Sequence, residues 1–156
     1  VLQIPDGAIE LSDQQWMIRF DLKLVDGQIT ISPIVRPIQQ VKEVLWSAIK
    51  AERDRRIQSG GYKVGAKWFH SDTFSRTQQM GLVMLGASIP ANTPWKTMDG
   101  TTVTMTQALA GPLFATAPAS NIAIFPAAET HRAAMEAAAD PATYDFSSGW
   151  PAVFEG

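Results

Sequence analysis

Apolar and polar positions along this chain change their period repeatedly, and each change marks an element. Ser12-Asp13-Gln14-Gln15 carries capping-box spacing, and Trp16 and Phe20 then fall at i, i+4, which predicts a short helix over 12–20. From Leu22 to Ile31 the pattern becomes β-like on both sides of Asp26-Gly27, a dipeptide that accepts the positive φ of a two-residue hairpin turn. Pro33 and Pro37 then punctuate a linker. One short helix and one hairpin cannot enclose a core. Residues 1–37 therefore read as an attachment arm and residues 38–156 as a compact domain.

From Ile38 to Ile57 the period is helical, with Val41, Val44, Leu45, Ala48 and Ile49 in one apolar stripe; Gly60-Gly61 stops it. Tyr62 to His70 reads as a hairpin turned at Gly65-Ala66, after which Ser71 or Asp72 caps a helix through about Leu85. Gly86 and Pro90 end that helix. Trp95 to Met105 is a further hairpin, rich in threonine and valine and turned at Asp99-Gly100; Thr104 or Thr106 can cap the next segment. Small residues favour helix from Gln107 to Ala139. Pro112, Pro118 and Pro126 each remove a donor and clash with the preceding turn, so a broken or kinked helix is predicted there, cleanest over 127–139. Asp140 to Gly156 reads as a nonhelical tail. The two later hairpins, each followed by a helix, form a weak internal repetition. The resulting class is α+β: a small helical domain with short hairpins at Asp26-Gly27, Gly65-Ala66 and Asp99-Gly100.

Composition narrows the function. A domain of 156 residues buries roughly 70% of its unfolded surface, enough for a core without staples. Charged residues make up only 18%, against about 25% in an average protein, which favours a surface partly covered by a partner or by copies of itself. A net charge of −2 gives no field for gathering nucleic acid. No run approaches the length of consecutive apolar residues that spans a bilayer, and no leader pattern opens the chain, so neither is expected. Zero cysteines exclude disulfides, thiolate catalysis and cysteine-ligated metals; the absence suits a reducing cytosol and equally a particle outside one.

Reaction machinery is hard to find. His70-Ser71-Asp72 has the residue types of a hydrolytic triad, but such groups must converge from separate segments, and the local reading is a strand end followed by a helix cap. There is no nucleophile elbow. His70 and His131 lack metal-ligand spacing, so no metal or cofactor is expected. Glu52, Asp54, Asp72 and Asp99 could supply a glycosidase acid pair only if two of them converged to about 5–9.5 Å. Local readings suffice for all four: a helix face, a cap and a turn. Lys50, Arg53, Arg55 and Arg56 interleave with Glu52 and Asp54 as a solvated mixed-charge face. Trp68 and Trp95 sit in strands and read as core. Aromatic residues of the arm and tail, Trp16, Phe20, Tyr144, Phe146, Trp150 and Phe154, are the candidate partner-binding anchors, with Trp150 foremost between Gly149 and Pro151.

Several segments, in order, resemble an uncharacterised phage and prophage domain family, a domain of unknown function. They are Ile49 to Arg56, Lys63-Val64-Gly65, Lys67 to Asp72, Gln78 to Val83, Trp95 to Gly100, Thr104-Met105-Thr106, Ala133 to Glu136, Tyr144-Asp145-Phe146 and Gly149-Trp150-Pro151. The likeness covers roughly residues 40–154, and its departures are the three prolines. Members resemble proteins encoded beside tail-fibre genes and described as fibre- or fibre-assembly-associated. No catalytic residue comes with the resemblance. It implies a noncatalytic tail protein on the fibre or baseplate of the virion, passing through the host cytoplasm during assembly. The alternatives are an assembly chaperone absent from the finished particle and a small carbohydrate-acting enzyme. Partners would be fibre or baseplate proteins, and particle symmetry favours a homo-oligomer, a trimer first.

Overall fold

The computed structural model describes residues 22–31 and 37–156; the helix predicted over 12–20, with Trp16 and Phe20, lies outside the described residues. The chain divides after Pro37 into two units. In the first, β1 (Leu22–Val25) and β2 (Gln28–Ile31) pair antiparallel, with Val25 opposite Gln28. Asp26 and Gly27 both take positive φ, +50° and +78°, as the hairpin turn requires.

The second unit is a small α+β domain. Its elements run α1 (Ile38–Ser59), β3 (Tyr62–Val64), β4 (Lys67–Phe69), α2 (Thr73–Leu85), β5 (Pro94–Lys96), β6 (Thr102–Thr104) and α3 (Gln107–Ala137). β3 pairs with β4 and β5 with β6, each as a separate two-stranded antiparallel sheet. Short 3-10 turns follow α2 at Gly86–Ser88 and α3 at Pro141–Thr143. Asp72 caps α2, its carboxylate accepting the Ser75 amide at 2.9 Å, and Thr106 caps α3 through the Leu109 amide.

α3 organises the unit. Its buried positions, Ala110, Leu113, Ala117, Ile124, Ala128, His131 and Met135, follow steps of three, four or seven residues along one face. The first half of that stripe packs with Tyr62, Phe69 and Met105 into one core. The second half joins Ile49 in another, bordered by Leu45, Trp46, Tyr144, Phe146 and Trp150. Burying each large side chain here contributes about 1.5–3 kcal/mol. α1 lies antiparallel to α3: Lys42 donates to the Glu136 carbonyl at 2.9 Å, Arg132 sits over Trp46, and Arg53 sits over Phe125.

The prolines do not break α3, contrary to the sequence expectation; the helix is continuous from Gln107 to Ala137. Pro112, Pro118 and Pro126 are all exposed, and so are Ala108, Phe114 and Ile122, whose carbonyls lose their amide donors. Water can satisfy those carbonyls, while the packed stripe on the other face holds the helical path. A helix that is mainly alanine and other apolar residues, and this long, also has the length and composition to cross a membrane. The core helix of a globular domain passes the same test.

Polar links fasten the small sheets to this frame. The Met98 amide donates to the Trp68 carbonyl at 2.9 Å, joining the two hairpins. Tyr62, buried, donates its hydroxyl to Gln79 Oε1 at 2.5 Å, and Gln79 Nε2 donates to the His70 carbonyl at 3.2 Å. Burial pushes the Tyr62 phenol up to about 12. Arg76 on α2 is the widest connector. Its Nε donates to the Ser71 carbonyl at 2.5 Å, and its Nη2 to Asn121 Oδ1 at 2.8 Å and the Ile57 carbonyl at 3.3 Å.

Candidate functional site

Ser71 and each candidate carboxylate have local partners. In His70-Ser71-Asp72 the three side chains do not meet as a triad. Ser71 is buried and its hydroxyl accepts the Gly61 amide at 3.0 Å, while Asp72 Oδ2 accepts from the Ser75 hydroxyl at 2.7 Å. The Ser75 hydroxyl and then its amide hold the Asp72 carboxyl below the usual range. Glu52 accepts from both Arg55 and Arg56 at 2.7 Å, and Asp54 from Arg53 at 2.8 Å, so each arginine of the basic cluster has a carboxylate partner. Arg55 first, then Arg56, lower the Glu52 carboxyl. Among the described residues no group of three or more His, Asp or Glu could hold a metal ion.

Asp99 sits at the centre of the third turn. Its Oδ1 lies 2.6 Å from the Thr97 hydroxyl, 2.7 Å from the Thr101 hydroxyl and 3.0 Å from the Thr101 amide, and Oδ2 accepts from Lys67 at 2.7 Å. These donors, Lys67 first, hold its carboxyl well below the ordinary range. A depressed folded value means the stabilisation is present above the unfolded carboxylate pKa of about 3.9 and is lost as pH falls through the folded value. Asp99→Asn should therefore melt below the parent protein at neutral pH, and the gap should close in acid. A gap that stays constant with pH would show that the charge plays no part.

The tail aromatics turn into their own domain. Tyr144, Phe146 and Trp150 are half-buried beside the second core, and Phe154 packs on Trp68 with ring centres 6.4 Å apart. Trp150 lies against His131 at 4.7 Å and donates its indole N–H to the Phe146 carbonyl at 2.7 Å. Arg56 covers Trp150 at 5.2 Å and donates to the Pro151 carbonyl. His131 Nδ1 is 2.9 Å from the Tyr144 hydroxyl, whereas its Nε2 is buried without a partner among the described residues. The helical spacing of His131 puts it on the buried face, but it could not show the ring's companions, Tyr144 and Trp150, which come from the irregular tail.

Two open depressions border α2. One, about 310 Å³, runs between α2 and α3 and is bordered by Thr77, Met80, Phe114, Ala117, Pro118 and Asn121. Met80, Met84, Phe114, Ile122 and Phe125 are exposed, Met84 at 83%. On α3 the positions 111, 114, 118, 122 and 125 form a second three- and four-residue stripe beside the buried one, and no charged residue occurs between Gln107 and Ala128. That second stripe was a readable signal which a single-face reading of the helix overlooks. The other depression, about 350 Å³, lies where the start of α2 meets β5 and is bordered by His70, Phe74, Gln78, Trp95 and Lys96 among others.

No curated protein and no solved structure matches the chain. A protein-family model described as "Domain of unknown function (DUF4376)" matches residues 40–148. That span takes in nearly all of α1, both later hairpins, α2, α3 and the contact between His131 and Tyr144, and the chain belongs to the DUF4376 family.

Proposed function

We propose that this chain is a noncatalytic tail protein of a phage, seated on the fibre or baseplate of the virion, with the second unit as its docking module. The observation that carries the reading is the apolar groove between α2 and α3, open at Met80, Phe114 and Pro118. Exposed apolar surface of this kind, in a chain poor in charge, marks a protein contact. Arg76, the one cation on the groove wall among the described residues, is committed to Asn121 and two carbonyls, so the groove offers no free charge to the surface that enters. The ordered likeness to proteins encoded beside tail-fibre genes supplies the context. The local commitments of Glu52, Asp54, Asp72 and Asp99 favour a scaffold over an enzyme.

Purified particles should contain the chain, in copies matching the fibre's threefold symmetry, and Met80→Glu should abolish incorporation while the melting temperature holds. A chain absent from finished particles, yet needed for fibre maturation in the infected cell, would replace this reading with an assembly chaperone. Incorporation of the Met80→Glu protein at full copy number would remove the groove from it.

A further inference from the structure

We infer that the depression between the start of α2 and β5 binds a neutral pyranose sugar. The inference stands apart from the docking groove and does not depend on the tail assignment. Two aromatic side chains from different elements border one hollow. Phe74 is 73% exposed, although it sits in the first turn of a helix with a packed face available. Trp95 is half-buried and rests on the core around Tyr62 and Phe69, which gives the hollow a firm wall. Aromatic surface of this kind is apolar in its body and suits the C–H face of a sugar ring.

Three of the polar groups around the hollow are unspent, whereas Ser75, which also borders it, is committed to Asp72. Among the described residues, the His70 ring, the Gln78 amide and the Lys96 ammonium have no hydrogen-bond or ion-pair partner. Next to Gln78, Gln79 uses both ends of its amide, on Tyr62 and on the His70 carbonyl. Three free polar side chains beside two aromatic ones match a ligand that is hydroxylated on its edge and apolar on its faces. An anion is disfavoured, because the helix start is already occupied by its own carboxylate: Asp72 accepts from both the amide and the hydroxyl of Ser75. A volume of about 350 Å³ is at the small end of ligand sites and leaves room for one ring. No carboxylate among the described residues borders the hollow, so it is built to hold a glycoside and not to cleave it.

The test is an NMR titration of the full chain with the methyl pyranosides of glucose, galactose, mannose and N-acetylglucosamine, with glycerol and inorganic phosphate as controls. At least one pyranoside should give saturable shifts in the amides of 70–78 and 95–96 and in the Trp95 indole N–H. Phe74→Ala and Gln78→Ala should each weaken that binding about tenfold, the loss of roughly one ring contact or one hydrogen bond. Both substituted side chains are exposed, so unchanged melting is expected and separates lost binding from lost fold. The inference is overturned if no pyranoside saturates, if glycerol gives the same shifts, if phosphate binds in their place, or if the shifts map to the α2–α3 groove. Particle incorporation of Phe74→Ala reads the docking proposal separately and should be unaffected.

Discussion

Gly61→Ala should cost the second unit about 3 kcal/mol, whereas Gly65→Ala, at nearly the same φ, should cost about 1. Both glycines lie in the left-handed region, at +69° and +61°, so the backbone strain of adding a Cβ is shared. The surroundings differ. A Cβ on Gly61 would meet Met98 Sδ at 2.1 Å and the Phe69 carbonyl at 2.9 Å, while one on Gly65 meets nothing within 4 Å. Met98 can swing away, but its amide is fixed on Trp68, and the Phe69 carbonyl belongs to a strand with a buried ring. Crowding therefore adds about 2 kcal/mol to the strain. Thermal melts should place Gly61→Ala roughly ten degrees or more below the parent and Gly65→Ala only a few degrees below. Equal losses would mean that the approach of Met98 to Gly61 is not a fixed feature of the fold.

That pair also shows what the sequence discloses and what it withholds. Gly65, like Gly100, announces its turn through residue type alone, because positive φ in a short loop selects glycine. The hairpins at Asp26-Gly27, Gly65-Ala66 and Asp99-Gly100, a cap at Ser71 or Asp72, which falls on Asp72, and the course of α1 and α2 to within two residues were legible for this local reason. Gly61 read only as a helix stop, since its crowding comes from Met98, remote in sequence. α3 was misread in the same way. Proline chemistry is local and predicts a break, whereas the stripe from Ala110 to Met135 gains its strength from α1, β3 and α2. The open hollows belong to pairs of elements, so neither could be seen in either partner alone.

The second large effect falls on Arg76. Arg76→Met should destabilise the unit by about 2–4 kcal/mol, because it strips three acceptors on three segments of a charged donor. The Ser71 carbonyl, the Ile57 carbonyl and Asn121 Oδ1 are all served by this one side chain. Among the described residues no carboxylate pairs with it, so the loss is of hydrogen bonds to neutral groups and should respond only weakly to salt. Arg76→Lys should recover little, since a single ammonium cannot span the fork. A double-mutant cycle with Asn121→Ala should give a coupling of at least ~1 kcal/mol. Additive losses would mean that the bond across α2 and α3 is not formed in solution.

The exposed prolines of α3 have a consequence for how the domain fails. A helix lacking three amide donors has little stability of its own. It persists only while both cores grip it, and it is the one element those cores share. Loss of either grip removes the other's scaffold, so the second unit is an all-or-none folding body with no half-melted form that keeps the groove. A partner that recognises the face between Met80 and Phe114 thereby inspects the integrity of the entire domain, including a helix, α1, that it never touches.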